Sequence, residues 1–201
     1  DKFFNLDAMT FDDSGSATPP VNLSGTLVPA SVTMNNSGKN YLFVGYGSIR
    51  GSTLTMNGTG QLTVQNTATN LFADGGVVNS GHLRFAGENA NDFGAIGLAI
   101  NVGGLATFAN TGENVFGPIV TLEGSLVFDQ GVDVNLAPSL TGSGTLVKTG
   151  ANTLTLEGDN TGLYSPFPVH IRDGILKAST VATLPQAGVI ITNTGTLDVN
   201  Q

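Results

Sequence analysis

The sequence predicts an all-β chain wound as a right-handed parallel β-helix, with coils of 20 to 23 residues. A recurring phrase is the first sign. Glycine followed by alternating apolar positions appears as Gly60-Gln-Leu62-Thr-Val64, Gly81-His-Leu83-Arg-Phe85, Gly124-Ser-Leu126-Val-Phe128, Gly144-Thr-Leu146-Val-Lys148, Gly174-Ile-Leu176-Lys-Ala178 and Gly195-Thr-Leu197-Asp-Val199, with a degenerate copy near Gly104–Phe108. The apolar residues of each phrase lie two apart, so they share one face of a strand. One such strand cannot bury its face alone, whereas coils stacked at the ~4.8 Å strand spacing enclose a continuous core.

Composition agrees. Glycine contributes 28 of 201 residues, and threonine, valine and asparagine, all weak helix formers, are abundant. Fifteen acids against seven bases give a net charge of −8 and no basic cluster, which excludes a nucleic-acid groove or a basic membrane-binding face. The chain has no cysteine, so disulfides, thiolate metal sites and a cysteine nucleophile are excluded. No apolar run reaches the ~20 residues of a membrane-crossing helix. An antiparallel β-sandwich is the alternative, since it too uses short strands, and Asn57-Gly58 and Asp173-Gly174 have the chemistry of hairpin turns.

Taken in order, residues 1–45 form an irregular β segment, the first coils or a cap. Strand candidates lie at Val21–Leu23, Thr26–Val28 and Ser31–Met34, separated by Pro19, Pro20 and Pro29 at strand ends. Residues 46–201 hold the regular coils. Within them, Gly94–Gly104 reads as a glycine-rich buried strand, with one short helical turn as the other option. The stretch 160–170, with Tyr164, Pro166, Phe167 and Pro168, reads as a projecting loop. Glycines that open each phrase are expected to supply positive φ or a bulge at the corners. Asn152, Asn160 and Asn193 are expected to stack as amide ladders between rungs.

Residues 142–176 resemble the autotransporter-associated β-strand repeat. The matching positions are Gly142-Ser-Gly144-Thr-Leu146-Val-Lys148, Gly150-Ala-Asn152-Thr-Leu154-Thr-Leu156, Gly158-Asp-Asn160-Thr-Gly162 and Asp173-Gly174-Ile-Leu176. A weaker copy runs through Gly58–Val64 and Val77–Phe85. The resemblance implies a secreted or surface-displayed bacterial β-solenoid of the adhesin type, and it brings no catalytic residues. The opening DKFFNLDAM has no leader, and the chain closes on GTLDVNQ without a translocating barrel. A cleaved passenger, a piece of a longer chain or a separately exported subunit is therefore expected.

Candidate chemistry is sparse. Asp129 and Asp133, four apart around Gly131, are the one carboxylate pair that fits acid–base work on a polysaccharide. The bases such a cleft needs, Arg84, Lys148 and Arg172, are scattered. A solvated turn explains the pair more simply. Asp12-Asp13 is half a calcium motif without the rest, and His82 and His170 lack a third ligand or nucleophile. No catalytic, cofactor or metal residue is assigned. The expected role is a non-catalytic structural or adhesive solenoid, extracellular or on the bacterial surface, with a carbohydrate-active β-helix enzyme as the alternative. Partners are further copies of the chain, or surface glycans and proteins. Apolar strands at both ends, carrying Phe3, Phe4, Leu6, Val189, Ile191, Leu197 and Val199, are the candidate edges for head-to-tail stacking into filaments.

Overall fold

The computed structural model describes residues 3–15, 20–164, 169–180, 184 and 188–199. It is a β-solenoid of about eight turns with no helix among the described residues. Each turn gives one strand to each of three faces. The first turn holds β1 (Ala8–Phe11), β2 (Val21–Leu23) and β3 (Thr26–Leu27), and the second β4 (Ser31–Met34), β5 (Tyr41–Gly45) and β6 (Ser48–Ile49). The third holds β7 (Thr53–Met56), β8 (Gln61–Val64) and β9 (Asn70–Leu71), and the fourth β10 (Gly76–Val78), β11 (Gly81–Gly87) and β12 (Asn91–Asp92). The fifth has β13 (Leu98–Ile100), β14 (Gly104–Asn110) and β15 (Asn114–Val115), and the sixth β16 (Ile119–Leu122), β17 (Ser125–Phe128) and β18 (Val134–Leu136). The seventh has β19 (Ser139–Thr141), β20 (Thr145–Lys148) and β21 (Thr153–Leu156). The last turns contribute β22 (Val169–Ile171), β23 (Ile175–Ala178), β24 (Val189–Ile191) and β25 (Thr196–Val199).

The first face is a seven-stranded sheet, β1-β4-β7-β10-β13-β16-β19, and the second a nine-stranded sheet, β2-β5-β8-β11-β14-β17-β20-β22-β24. The third is divided into β3-β6, β9-β12-β15 and β18-β21-β23-β25. Parallel pairing of strands one turn apart excludes the sandwich. Asn57-Gly58 and Asp173-Gly174 sit at corners between faces, not in hairpins. The irregular N-terminal segment is already solenoid, since β4 pairs with β7 through Ser31↔Thr53 to Met34↔Met56. Gly94–Gly104 contains a turn and the strand β13, with no helix. Of the loop at 160–170, residues 165–168 lie outside the described residues; Tyr164 beside them is exposed.

The period-two pattern becomes columns of side chains running up the stack. On the second face Phe85, Phe108 and Phe128 are in register and buried, their rings stacked at 5.1 and 5.7 Å. A second column, Phe72, Phe93 and Phe116, stacks at 5.7 and 5.8 Å, and edge-on contacts such as Phe108 to Phe116 at 4.8 Å join the two. Burying one such ring stabilises the fold by about 1.5–3 kcal/mol, and each aromatic pair adds roughly 0.5–1.5 kcal/mol.

The phrase glycines act mainly through close approach. Only Gly81 and Gly174 among them have positive φ. A Cβ on Gly124 would come within 2.3 Å of the Gly104 carbonyl oxygen, and one on Gly144 within 2.4 Å of that of Gly124. Backbone of one turn rests directly on backbone of the next, so no side chain fits between them.

Candidate functional site

The sequence-predicted chemical residues are dispersed. His82, on β11, has Nε2 at 2.9 Å from Thr107 Oγ1; partial burial, then the charge of Arg84, holds its pKa below the ordinary value. His170 lies on β22, four turns away. The carboxylates of Asp12 and Asp13 bind backbone amides. Asp12 Oδ1 accepts from Ser14 N and Oγ at 2.8 and 2.6 Å, and Asp13 accepts from the N–H groups of Ser37, Gly38 and Lys39 at 3.0–3.1 Å. These donors hold both carboxyl groups below the usual carboxylate range. The two residues thus clamp the first turn to the second. No group of three or more acidic, histidine or cysteine side chains gathers for a metal among the described residues.

Lys148 is not a surface base. It occupies the column above Phe128, is buried, and donates from Nζ to the carbonyls of Thr149, Gly150 and Asp173 at 2.8, 2.7 and 3.3 Å. Desolvation lowers its pKa, partly offset by the carboxylates of Asp173, Asp129 and Asp133. Arg84 and Arg172 stand on different turns, so no basic cleft faces Asp129 and Asp133. Asp133 is itself engaged: its Oδ1 accepts from Thr153 N at 2.8 Å and from Asn152 Nδ2 at 3.4 Å.

Amide ladders are present, built from other asparagines than expected. One is exposed: Asn57, Asn79 and Asn101 each donate to the asparagine one turn below, at 3.1, 2.7 and 2.6 Å, starting from Asn35. A second runs along the third face. Asn70 Nδ2 donates to Asn91 Oδ1, and Asn91 Nδ2 to Asn114 Oδ1, both at 3.0 Å. Asn152 and Asn160 instead make local bonds, to Asp133 and to Gly158 O, and Asn193 adopts a positive φ of 53°. A spacing of 21 to 23 residues between asparagines is the signal that finds these ladders, and those three lack it.

Buried corner amides support the third-face ladder. The Oδ1 atoms of Asn66, Asn89 and Asn110 accept from Asn70, Asn91 and Asn114 at 3.0, 3.0 and 3.1 Å. One turn later Gln130 takes the corner position, only 4 % exposed, and its Nε2 donates to Asn110 O at 2.8 Å. The residue four further on is Val134, which has no amide, and Gln130 Oε1 is left without a partner. At the same junction the step is 20 residues (Phe108↔Phe128, Ile119↔Ser139), which brings Glu113 to the level of Asp133. Like charges at neighbouring sheet positions oppose pairing. Here β15 pairs only with β12, and β18 only with β21.

The result is a cleft of about 520 Å³ lined by Thr111, Gly112, Glu113, Asn114 and the 130–135 segment other than Gly131. Its ends are pinned: Asp129 N donates to Phe108 O at 2.8 Å on one side, and Ser139 N to Pro118 O at 3.0 Å on the other.

The ends of the stack form the other notable surface. β1 and β2 are terminal strands of their sheets, and a groove of about 740 Å³ is lined there by Phe3, Met9, Phe11, Val21, Leu23 and neighbours. Residues 5–7 fold beside it, with Leu6 N donating to Val28 O at 2.7 Å, while Phe4 and Leu6 are exposed. At the opposite end β24 and β25 are terminal; Ile191 is exposed, and Val189, Leu197 and Val199 are half-buried. No protein-family model matches the chain, and neither a curated protein nor a solved structure shows significant similarity to it.

Proposed function

We propose that the chain is a non-catalytic structural and adhesive β-solenoid of a bacterial surface or secreted protein, able to stack head to tail through its terminal strands. One observation carries the reading: the second face runs unbroken through nine parallel strands and has a strand without a second neighbour at each end, β2 and β24. An unpaired parallel edge offers a row of N–H and C=O groups to any strand of matching register, and a coil of the same solenoid has that register. Apolar side chains flank both ends, so stacking also removes apolar surface from water. The resemblance of residues 142–176 to autotransporter-associated repeats supports the surface location.

Electron microscopy of the purified chain tests the reading. Filaments that lengthen with protein concentration, and that Thr10→Pro on β1 or Ile190→Pro on β24 shortens to single rods, support it. Single rods at every concentration remove the stacking part. Turnover of a polyuronide that Asp129→Ala abolishes replaces the whole reading with the enzymatic one.

A further inference from the structure

We infer that the cleft between the fifth and sixth turns is a binding site for a neutral or amino sugar unit. The inference deepens the adhesive part of the proposed function, by giving it a location and a ligand chemistry, and is independent of stacking.

The cleft presents acceptors. Gln130 Oε1 is buried and unpartnered, and Glu113 and Asp133 add carboxylates at its edge. No lysine or arginine lines it. An unpartnered buried amide oxygen is costly to leave unbonded, and in the three turns below the equivalent oxygen is satisfied by an asparagine. Here Val134 stands in that place, so the donor must come from outside. A hydroxyl or ammonium group supplies it, whereas an acidic ligand would meet two carboxylates.

Shape selects among donors. Because the backbone closes the cleft at Asp129 and at Ser139, an extended strand cannot run through it. A volume of about 520 Å³ lies within the ordinary range for small-molecule sites and is far more than one cation fills. Val132 and Val134, both half-buried, give the apolar patch on which the C–H face of a sugar ring rests, and Asn135 at the rim offers amide donors to ring hydroxyl oxygens.

The test is an NMR titration of the full chain with cellotetraose, a glucosamine tetramer, trigalacturonate and calcium chloride in separate arms. Cellotetraose or the glucosamine tetramer is expected to shift the amides of residues 111–114 and 130–135, and trigalacturonate is not. Gln130→Leu should weaken binding about tenfold, the equivalent of one hydrogen bond. Val134→Asn, which supplies the missing internal donor, should abolish binding while leaving the amide spectrum of the other turns in place. Glu113→Ala, at an exposed position, keeps the test open if Gln130→Leu unfolds, and should weaken the glucosamine tetramer more than cellotetraose. Failure of both sugars to bind, equal binding of trigalacturonate, saturable shifts with calcium alone, or sugar binding unaffected by Val134→Asn each overturns the inference. Rods or filaments imaged from the same preparation separate that failure from failure of the proposed function.

Discussion

Two successive junctions on the third face differ in a single amide. Between the fourth and fifth turns, Asn91 meets Asn114, the corner amides of Asn89 and Asn110 are both satisfied, and β12 pairs with β15. Between the fifth and sixth, Asn114 meets Val134, Glu113 meets Asp133, Gln130 Oε1 is orphaned, and β15 and β18 do not pair. The aromatic columns continue past both junctions, with Phe108 stacked on Phe128 at 5.7 Å and Phe116 edge-on to it at 6.1 Å. The core therefore holds the turns together, while polar side chains at one corner decide whether the third face closes. A solenoid can open a pocket locally without losing its stack.

The comparison is broken most severely by removing the shared core. Phe108→Ala deletes a ring that touches Phe85, Phe93, Phe116 and Phe128, and should cost about 3–5 kcal/mol in urea unfolding, destabilising both junctions alike. Next in size, Asn91→Ala converts the closed junction toward the open one. It leaves Asn70 Nδ2 and Asn114 Oδ1 each short of a bond, and each buried unpaired group costs roughly 1–3 kcal/mol. Hydrogen exchange should quicken at β12 and β15 before it does at β18. A result confined to global unfolding would count against the ladder as a local fastener.

The reverse change is smaller and of opposite sign. Val134→Asn should satisfy Gln130 Oε1, extend the ladder from Asn114, and raise stability by about 0.5–1.5 kcal/mol, seen as a higher urea midpoint with an unchanged slope. A lower midpoint would show that Val134 matters more for packing than for the break.

The smallest effect concerns Lys148, just beyond the open junction. Its folded pKa is depressed by burial, so between that value and 10.5 the unfolded chain binds more protons. Stability from this group therefore rises as pH climbs through that window, and the penalty for burying the charged form is fully present below it. Lys148→Met should remove this alkaline increment, measured as the difference between midpoints at neutral and alkaline pH. At the acid end, Asp12, Asp13, Asp159 and Asp173 have lowered folded pKa values. They contribute stability above 3.8 that is lost as pH falls through those lower values.

Much of the stack was legible in advance. Glycine phrases 20 to 23 residues apart place β8, β11, β14, β17, β20, β23 and β25, because period-two apolar residues can be buried only on one face. The same phrases could not say which glycines need positive φ and which need room against the turn below, since that depends on what lies one turn away. The asparagine ladders were misassigned for a related reason: Asn152, Asn160 and Asn193 look like corner residues, but Asn35, Asn57, Asn79 and Asn101 are the ones that register brings together. Lys148 reads in sequence as one of few surface bases, yet its strand position puts it in the Phe128 column.

Sequence alone thus determined the coil length, the inward columns and the absence of clustered catalytic chemistry, all of which follow from periodicity along the chain. Only the tertiary structure decided where one turn departs from the next. Whether Val134 faces Asn114, and whether Glu113 faces Asp133, depends on a 20-residue step that neither residue encodes by itself. Contacts between turns are set by registration across the stack, and registration is the sum of every corner below it.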